Sequence, residues 1–273
     1  MTHDFDGKVA VVTAAGQSIG FETARLLALA GARVAVCELD PDKCQAAAQA
    51  IRDAGGIATA YPMDATDQAQ VDATVAGVVA QWGGIDLLMN VVGGTRFPRR
   101  ADEMLEEEWQ ATINTNLHSV FRCVKAVVPQ MRRRGGGAIV NTSSGAGLMP
   151  SNRNVGYAAA KGAVNNLTKA MALDYAKDNI RVNAILPGMM LSPRIRGWMS
   201  SNPGFANMGD GICPLGRAGE PVEAARAAVF LLSDDASYIT GALLPVDGGA
   251  VAGNYIEFME SGDTGERVQG DAE

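Results

Sequence analysis

The stretch KVAVVTAAGQSIG, residues 8–20, runs from an apolar segment through a turn of small residues into a segment with helical spacing. Its first half is rich in valine, and a short apolar run of this kind is typical of a strand buried on both faces. A tight turn between a strand and a helix lets backbone N–H groups and the helix N-terminus approach a phosphate group. The stretch therefore predicts the first strand-turn-helix unit of a nucleotide-binding sheet, with an ordinary strand-to-helix connection as the alternative.

Further apolar runs follow this unit, and alanine-rich segments with helical spacing separate them. The predicted strands cover residues 8–13, 33–37, 57–61, 85–91, 138–141, 181–185 and 242–246. The predicted helices cover residues 19–30, 41–54, 68–82, 103–133, 157–176 and 221–233. This alternation implies right-handed crossovers, and so an α/β fold with a doubly wound parallel sheet of about seven strands flanked by helices. Ligands of such a sheet bind at the carboxyl ends of its strands.

The alternating pattern extends over residues 1–249, which we interpret as a single dinucleotide-binding and catalytic domain, because α/β domains of roughly 200–250 residues are common. Residues 188–219 show no clear element and are rich in Gly, Pro, Ser and Met. A loop of that length predicts a lid over about residues 189–219. Residues 250–273, with six acids against one arginine, form an acidic C-terminal extension.

The composition excludes several classes of protein. The net charge of the 273-residue chain is −7, of which the extension contributes −5, so the remainder lacks the basic excess of a nucleic-acid-binding protein. No apolar run approaches the roughly 18 residues that a membrane span needs. The opening residues MTHDFDGK do not resemble a signal peptide. We therefore expect a cytoplasmic protein with no nucleic-acid or membrane partner.

Cysteine and histidine spacing gives no metal site, because no Cys-x-x-Cys pair occurs and the chain has only two histidines. We interpret the cysteines as reduced thiols in the core: Cys37, Cys44, Cys123 and Cys213.

Glu38 ends the second predicted strand, roughly 20 residues after the turn, where an acid hydrogen-bonds the ribose hydroxyls of a bound adenosine. Its carboxylate would repel a 2′-phosphate, and no lysine or arginine lies in residues 13–20 to offset that repulsion. The sequence therefore favours NAD over NADP. A solvated acid at a strand end is the alternative.

Ser143 and Ser144 follow the fifth strand, and Tyr157 and Lys161 follow within a predicted helix. The tyrosine and lysine are four residues apart, so they share a helical face. A tyrosine pKa of about 10 is too high for a base near neutral pH, and a neighbouring ammonium favours the phenolate. The pair can act as a proton-transfer group, although such spacing also occurs by chance in surface helices.

Several motifs together resemble the short-chain dehydrogenase/reductase family over about residues 5–249. Within that family, the chain resembles the branch with a Ser…Tyr-x-x-x-Lys centre. The matching stretches are LMNVVG at 88–93, NLHSVF at 116–121, IVNTSS at 139–144, YAAAK at 157–161, RVNAILPG at 181–188 and VDGG at 246–249. The resemblance implies a Rossmann-like fold.

The same resemblance implies a catalytic set. Ser144, rather than Ser143, would be the catalytic serine, and Tyr157 the acid/base. Lys161 would bind the nicotinamide ribose and lower the tyrosine pKa. Asn116 would hold a water that relays protons to solvent.

The resemblance also implies a set of cofactor contacts. Ala14 and Ser18 stand where the family has its first two turn glycines, while Gly20 keeps the third. Asp64 is similar to the acid that contacts adenine, and Ser192 takes the place of a threonine near the nicotinamide carboxamide. The implied cofactor-binding residues are Thr13, Ala14, Gln17, Ser18, Ile19, Gly20, Glu38, Leu39, Asp64, Ala65, Asn90, Val91, Tyr157, Lys161, Pro187, Gly188, Met190 and Ser192.

These observations predict an NAD(H)-dependent oxidoreductase that interconverts a hydrophobic secondary alcohol and its ketone. The resemblance implies a homotetramer acting on a small-molecule substrate. Two alternatives stay open: reduction of a 3-oxoacyl thioester on an acyl-carrier protein, and a non-catalytic dinucleotide-binding scaffold.

Overall fold

The computed structural model describes residues 4–202 and 213–253, which contain a parallel sheet of seven strands. The strands are β1 (Val9–Thr13), β2 (Arg33–Glu38), β3 (Ile57–Pro62), β4 (Leu87–Asn90), β5 (Gly137–Thr142), β6 (Ile180–Pro187) and β7 (Leu243–Val246). Their order across the sheet is β3-β2-β1-β4-β5-β6-β7. The predicted doubly wound parallel sheet is confirmed.

Helices cover both faces of this sheet. They are α1 (Ser18–Leu29), α2 (Pro41–Asp53), α3 (Gln68–Trp82), α4 (Glu106–Ile113), α5 (Ser119–Arg134), α6 (Val155–Tyr175), α7 (Pro193–Ser201) and α8 (Pro221–Leu232). Buried residues of α1, α2 and α8 share one hydrophobic cluster with one face of the sheet. Those of α3, α5 and α6 share a second cluster with the other face.

The valine-rich run of β1 shows why the strands are apolar on both sides. Val9 and Val11 pack in the cluster with α3, α5 and α6, whereas Ala10 and Val12 pack in the cluster with α1, α2 and α8. Successive side chains of a strand point to opposite faces, so both sets must be apolar.

The direction of chain winding reverses between β1 and β4, which lie side by side at the centre of the sheet. The Thr13 hydroxyl accepts a hydrogen bond from the backbone N–H of Val91 at 2.9 Å and so joins the ends of these two strands. A crevice opens at such a reversal, outside the carboxyl ends of the strands. The fold therefore directs the turn after β1 and the loop after β4 toward a common site.

The prediction of one continuous helix over residues 103–133 is wrong. The chain forms α4, then a π-helical turn at Asn114–His118, and then α5. The side-chain amide of Asn116 donates to the carbonyl oxygen of Thr112 at 3.0 Å, which occupies a backbone acceptor within this region. π-Helical turns are rare and occur often at functional sites.

The expectation that residues 188–219 lack regular structure is also wrong in part, because α7 lies within them. The Ser192 hydroxyl accepts a hydrogen bond from the backbone N–H of Ile195 at 3.3 Å, and Pro193 occupies the first turn. Both are ordinary helix-start signals. Residues 203–212 of the predicted lid lie outside the described residues, as do residues 254–273 of the acidic extension.

All four cysteines are buried, in agreement with their interpretation as core thiols. None of the helices within the described ranges is long and apolar enough to span a bilayer.

Candidate active site

A cleft of about 420 Å³ lies at the carboxyl ends of the central strands, and we call it the sheet-end cleft. Thirteen of the residues predicted from the sequence line it: Ala14, Gln17, Ser18, Ile19, Glu38, Val91, Ser144, Tyr157, Lys161, Pro187, Gly188, Met190 and Ser192. Five lining residues were not predicted: Gly93, Gly94, Thr142, Ser143 and Arg194. The fold thus brings together segments that follow β1, β2, β4, β5 and β6.

The turn after β1 adopts the backbone shape that the motif glycines would give. Ala14 has a φ of 49° and Ser18 a φ of 54°, so both non-glycine residues lie in the left-handed region. Gly20 has no room for a side chain, because a Cβ there would collide with the carbonyl oxygen of Ala14. The turn keeps its shape with one glycine in place and two small residues under strain.

Glu38 lies at the edge of this turn with its carboxylate held by backbone donors. One carboxylate oxygen accepts from the N–H of Gly16 at 3.1 Å, and the other from the N–H of Leu39 at 2.9 Å. A carboxylate fixed at this place fits the hydroxyls of an adenosine ribose. The residues of the cleft are therefore compatible with a dinucleotide at this end.

The Ser144 side chain lies close enough to the Tyr157 hydroxyl to lower the pKa of that tyrosine. Ser143 points elsewhere, because its hydroxyl donates to the carbonyl oxygen of Lys161 at 3.0 Å within the protein. Of the two serines, only Ser144 therefore has its hydroxyl beside the tyrosine. The catalytic role of Ser144 rather than Ser143 stays a prediction.

The pKa of Tyr157 is raised, because partial burial disfavours the phenolate. The polar side chain of Ser144 and the positive charge of Arg194 oppose that effect and lower the pKa. The raised pKa differs from the sequence-based expectation that Lys161 makes the phenolate favourable. Desolvation of the tyrosine dominates in the protein without cofactor.

Lys161 is buried, with 2% of its surface exposed, and its Nζ donates to the carbonyl oxygen of Thr142 at 2.8 Å. That nitrogen lies 5.7 Å from the centre of the Tyr157 ring. Burial lowers the pKa of Lys161 to about 8. The lysine can therefore gain or lose a proton near neutral pH beside the tyrosine.

Asn116 lies next to this lysine because the π-helical turn carries it inward. Its Oδ1 accepts from the N–H of Gly94 at 2.8 Å, and its amide donates to the carbonyl oxygen of Gly94 at 3.2 Å. Gly93 fits tightly between the two side chains. A Cβ there would lie 2.7 Å from Asn116 Oδ1 and 2.9 Å from Lys161 Nζ.

Several predicted site residues do not line the cleft: Thr13, Gly20, Leu39, Asp64, Ala65, Asn90 and Asn116. Asn90 departs furthest from the prediction, since it is buried and its amide donates to Asn141 Oδ1 at 2.9 Å. The adjacent strand positions of these two asparagines, paired in register, explain that contact. Asp64 caps its own loop by accepting from the backbone and hydroxyl of Thr66.

Two polar residues of the cleft, Thr142 and Arg194, were not predicted from the sequence as site residues. Thr142 Oγ1 is buried with no hydrogen-bond partner among the described residues. Arg194 belongs to the first turn of α7, whose Ser192-Pro193 start was a usable signal. Nothing in local sequence marks Thr142.

Comparison with known proteins places these features in context. A family model described as enoyl-(acyl carrier protein) reductase matches residues 13–251. The cyclohexanol dehydrogenase of Acinetobacter sp. (strain SE19) is 38% identical over 248 residues, covering 91% of this chain and 96% of that protein. The 3-oxoacyl-[acyl-carrier-protein] reductase of Chlamydia trachomatis serovar D is 39% identical over 243 residues, covering 89% of this chain and 96% of that protein.

The fold is also similar to that of a 7α-hydroxysteroid dehydrogenase solved in complex with NADH and 7-oxo glycochenodeoxycholic acid. The two share a TM-score of 0.85 and 33% sequence identity. The match covers 91% of this chain and 96% of the other.

Proposed function

The chain belongs to the short-chain dehydrogenase/reductase family, and from that premise we propose an NAD(H)-dependent oxidoreductase that interconverts a hydrophobic secondary alcohol and its ketone. One arrangement carries the proposal. Ser144 lies beside Tyr157, the buried Lys161 lies near the same tyrosine, and all three residues line the sheet-end cleft. The named activities of a cyclohexanol dehydrogenase and a hydroxysteroid dehydrogenase among similar proteins support a cyclic alcohol.

A nicotinamide dinucleotide fits the residues present. The turn after β1 and the start of α1 would hold its diphosphate, Glu38 its adenosine ribose, and Lys161 its nicotinamide ribose. The Thr142 carbonyl oxygen accepts from Lys161 Nζ at the same end of the cleft. When bound, the nicotinamide supplies or accepts the hydride.

The side chains of this protein would handle the proton and the developing charge. In ketone reduction, Tyr157 donates its hydroxyl proton to the substrate oxygen, and its raised pKa keeps that proton in place near neutral pH. Ser144 donates a hydrogen bond to the same oxygen and stabilises the charge that forms there. Oxidation of the alcohol runs through the reverse steps.

Lys161 is suited to restore the proton of Tyr157, because its pKa near 8 allows exchange at neutral pH. Asn116 would position a water beyond the lysine, on the route to solvent. The backbone of Gly94 fixes the Asn116 amide on both its polar atoms, which supports a positioning role.

A second candidate is reduction of a 3-oxoacyl thioester, which the reductase from Chlamydia trachomatis favours by its similarity. We would expect NADPH as the cofactor for that reaction, but the carboxylate of Glu38 would repel its 2′-phosphate. The non-catalytic scaffold is disfavoured, because a chain without turnover has no need to keep Asn116, Ser144, Tyr157 and Lys161 together.

The test is a screen of NAD⁺ reduction with alicyclic, aromatic and steroid alcohols, together with NADPH oxidation by an acetoacetyl thioester. We expect turnover of at least one alicyclic or steroid alcohol with NAD⁺. Preference for NADPH and the thioester would support the second candidate. NADH binding without turnover of any substrate would support the scaffold.

The homotetramer and the cytoplasmic location also stay proposals. Sedimentation equilibrium of the full chain measures the first, and a monomer would contradict it.

A further inference from the structure

Arg194 is the cation that lines the sheet-end cleft beside the proposed acid/base. It lies in the first turn of α7, and its side chain is exposed. Its guanidinium donates to the carbonyl oxygen of Thr95 at 3.4 Å, which ties α7 to the loop after β4. A guanidinium has five N–H donors, so this contact leaves most of them available.

Two other arginines, Arg196 and Arg153, differ from Arg194 in having carboxylate partners. Arg196, two residues along the same helix, pairs with Glu220 at 2.6 Å. Arg153, just before α6, pairs with Glu103 at 2.9 Å. Within residues 4–202 and 213–253, no carboxylate lies within ion-pair distance of Arg194.

The charge of Arg194 acts at the reacting end of the cleft. It opposes the effect of burial on the Tyr157 hydroxyl, so the guanidinium lies close enough to influence that group. Lys161, the other cation of the cleft, is buried and donates to Thr142. Glu38, the acid of the cleft, lies at the turn after β1. An anion entering beside Tyr157 would therefore meet Arg194.

We propose that Arg194 binds an anionic group of the substrate, so that the preferred substrates are hydroxy acids or keto acids with an apolar ring and a carboxylate. This inference rests on the proposed function and narrows its substrate class. A guanidinium pairs with a carboxylate through two parallel hydrogen bonds, which fixes orientation as well as charge.

Two apolar residues that follow Ser144 closely in the chain are exposed. Leu148 and Met149 lie between Ser144 and Tyr157 in the chain and are both about half exposed. Exposed apolar residues so close in the chain to a polar centre fit a ligand with an apolar body and a few fixed polar groups. The ring of the substrate would cover them while the carboxylate reaches Arg194.

The experiment compares two probes, 3-hydroxycyclohexanecarboxylate and its methyl ester, of which only the first carries a negative charge. The measured quantity is the ratio of their kcat/KM values with saturating NAD⁺. A charge-assisted pair gives a preference of about 10- to 100-fold for the carboxylate. We expect Arg194→Gln to remove that preference and Arg194→Lys to restore part of it.

Arg196→Gln is the matched control, because it removes the same charge from the same helix outside the cleft. It should leave the ratio unchanged. Use of a ratio within each variant cancels any effect of Arg194 on Tyr157 itself. Added salt should weaken the preference of the unmodified protein.

Binding gives a readout that does not need turnover. We expect 3-oxocyclohexanecarboxylate to quench the fluorescence of enzyme-bound NADH more strongly than its methyl ester does, and Arg194→Gln to remove the difference. An unchanged ratio and unchanged quenching in Arg194→Gln would overturn the inference. Loss of NADH affinity in Arg194→Gln with the ratio retained would overturn it too, since Arg194 would then contact the cofactor diphosphate. Turnover of no alcohol, with carboxylate binding intact, would instead contradict the proposed function.

Discussion

The carboxylate of Glu38 accepts a hydrogen bond from the backbone N–H of Gly16 at 3.1 Å, which joins the end of β2 to the turn after β1. Gly16 is closely packed there, because a Cβ at that position would lie 2.8 Å from Glu38 Oε2. The acid is therefore held in one place before any ligand binds. A fixed carboxylate at this point accepts ribose hydroxyls and opposes a 2′-phosphate.

We expect the protein to prefer NAD over NADP by at least about tenfold in kcat/KM, which is roughly 1.4 kcal/mol. Glu38→Ala should reduce the difference in kcat/KM between NAD and NADP, because it removes the repulsion of the 2′-phosphate. Glu107→Ala, which removes an exposed acid from α4, is the control and should leave the preference unchanged. Equal kcat/KM values for both cofactors in the unmodified protein would contradict the prediction.

Tyr157→Phe should reduce kcat by at least about 100-fold, because it removes the proton donor. The affinity for NADH should stay nearly intact, since the phenol acts on the substrate oxygen. Tyr175→Phe changes the same residue type at the other end of α6 and serves as the control. Steady-state kinetics and NADH fluorescence titration measure the two effects. If more than about a tenth of kcat survives in Tyr157→Phe, another group must be the acid/base.

The buried Lys161 should give the cofactor-free protein a characteristic pH dependence of stability. Its pKa falls from 10.5 to about 8 in the folded state. Between these values the unfolded chain binds the proton and the folded chain does not, so this residue makes the free energy of unfolding rise with pH. Below pH 8 the full cost of the buried ammonium applies, about 3 kcal/mol.

Urea unfolding of the unmodified protein and of Lys161→Met, from pH 7 to 10, measures this contribution as a difference. We expect the free energy of unfolding of the unmodified protein, relative to that of Lys161→Met, to increase as the pH rises. Lys169→Met removes an exposed lysine of the same helix and should show no such difference. Parallel curves for the unmodified protein and Lys161→Met would contradict the lowered pKa.

Gly93→Ala should lower kcat by up to about 100-fold, because its Cβ would push Asn116 and Lys161 out of position. Gly94→Ala is the matched control. Both glycines have similar positive φ angles, 155° and 149°, but a Cβ at Gly94 meets nothing within 4 Å. Both variants should lose about 1–3 kcal/mol of stability from backbone strain. Equal losses of kcat would mean that strain, rather than displacement of the two side chains, is responsible.

Ala14→Gly should raise the free energy of unfolding by about 0.5 kcal/mol, because glycine relieves the left-handed strain at a φ of 49° and costs some chain entropy. Ala15→Gly, at the next position, should instead lower it by about 1 kcal/mol, since Ala15 is fully buried and outside the left-handed region. Urea titration of both variants checks the opposite signs. A loss of stability in Ala14→Gly would show that its methyl group contributes more than the strain costs.

Local periodicity was enough to locate most of the elements. The predicted helix over residues 68–82 matches α3, and the predicted strand over 33–37 lacks only the last residue of β2. Apolar spacing is a property of neighbouring residues, so it needs no knowledge of distant contacts. The predicted helix over 103–133 failed at Asn116, whose side chain is fixed by Gly94, 22 residues away.

The sequence by itself determined the alternating sheet, the helical face shared by Tyr157 and Lys161, and the acid at the end of β2, because each depends on short-range spacing. Only the tertiary structure decided that the Ser143 hydroxyl is held by the carbonyl oxygen of Lys161. It also decided the burial of Lys161 against Thr142, and the entry of Arg194 into the cleft. These outcomes depend on which segments the sheet brings together and how much water packing excludes, and both are set by the whole chain.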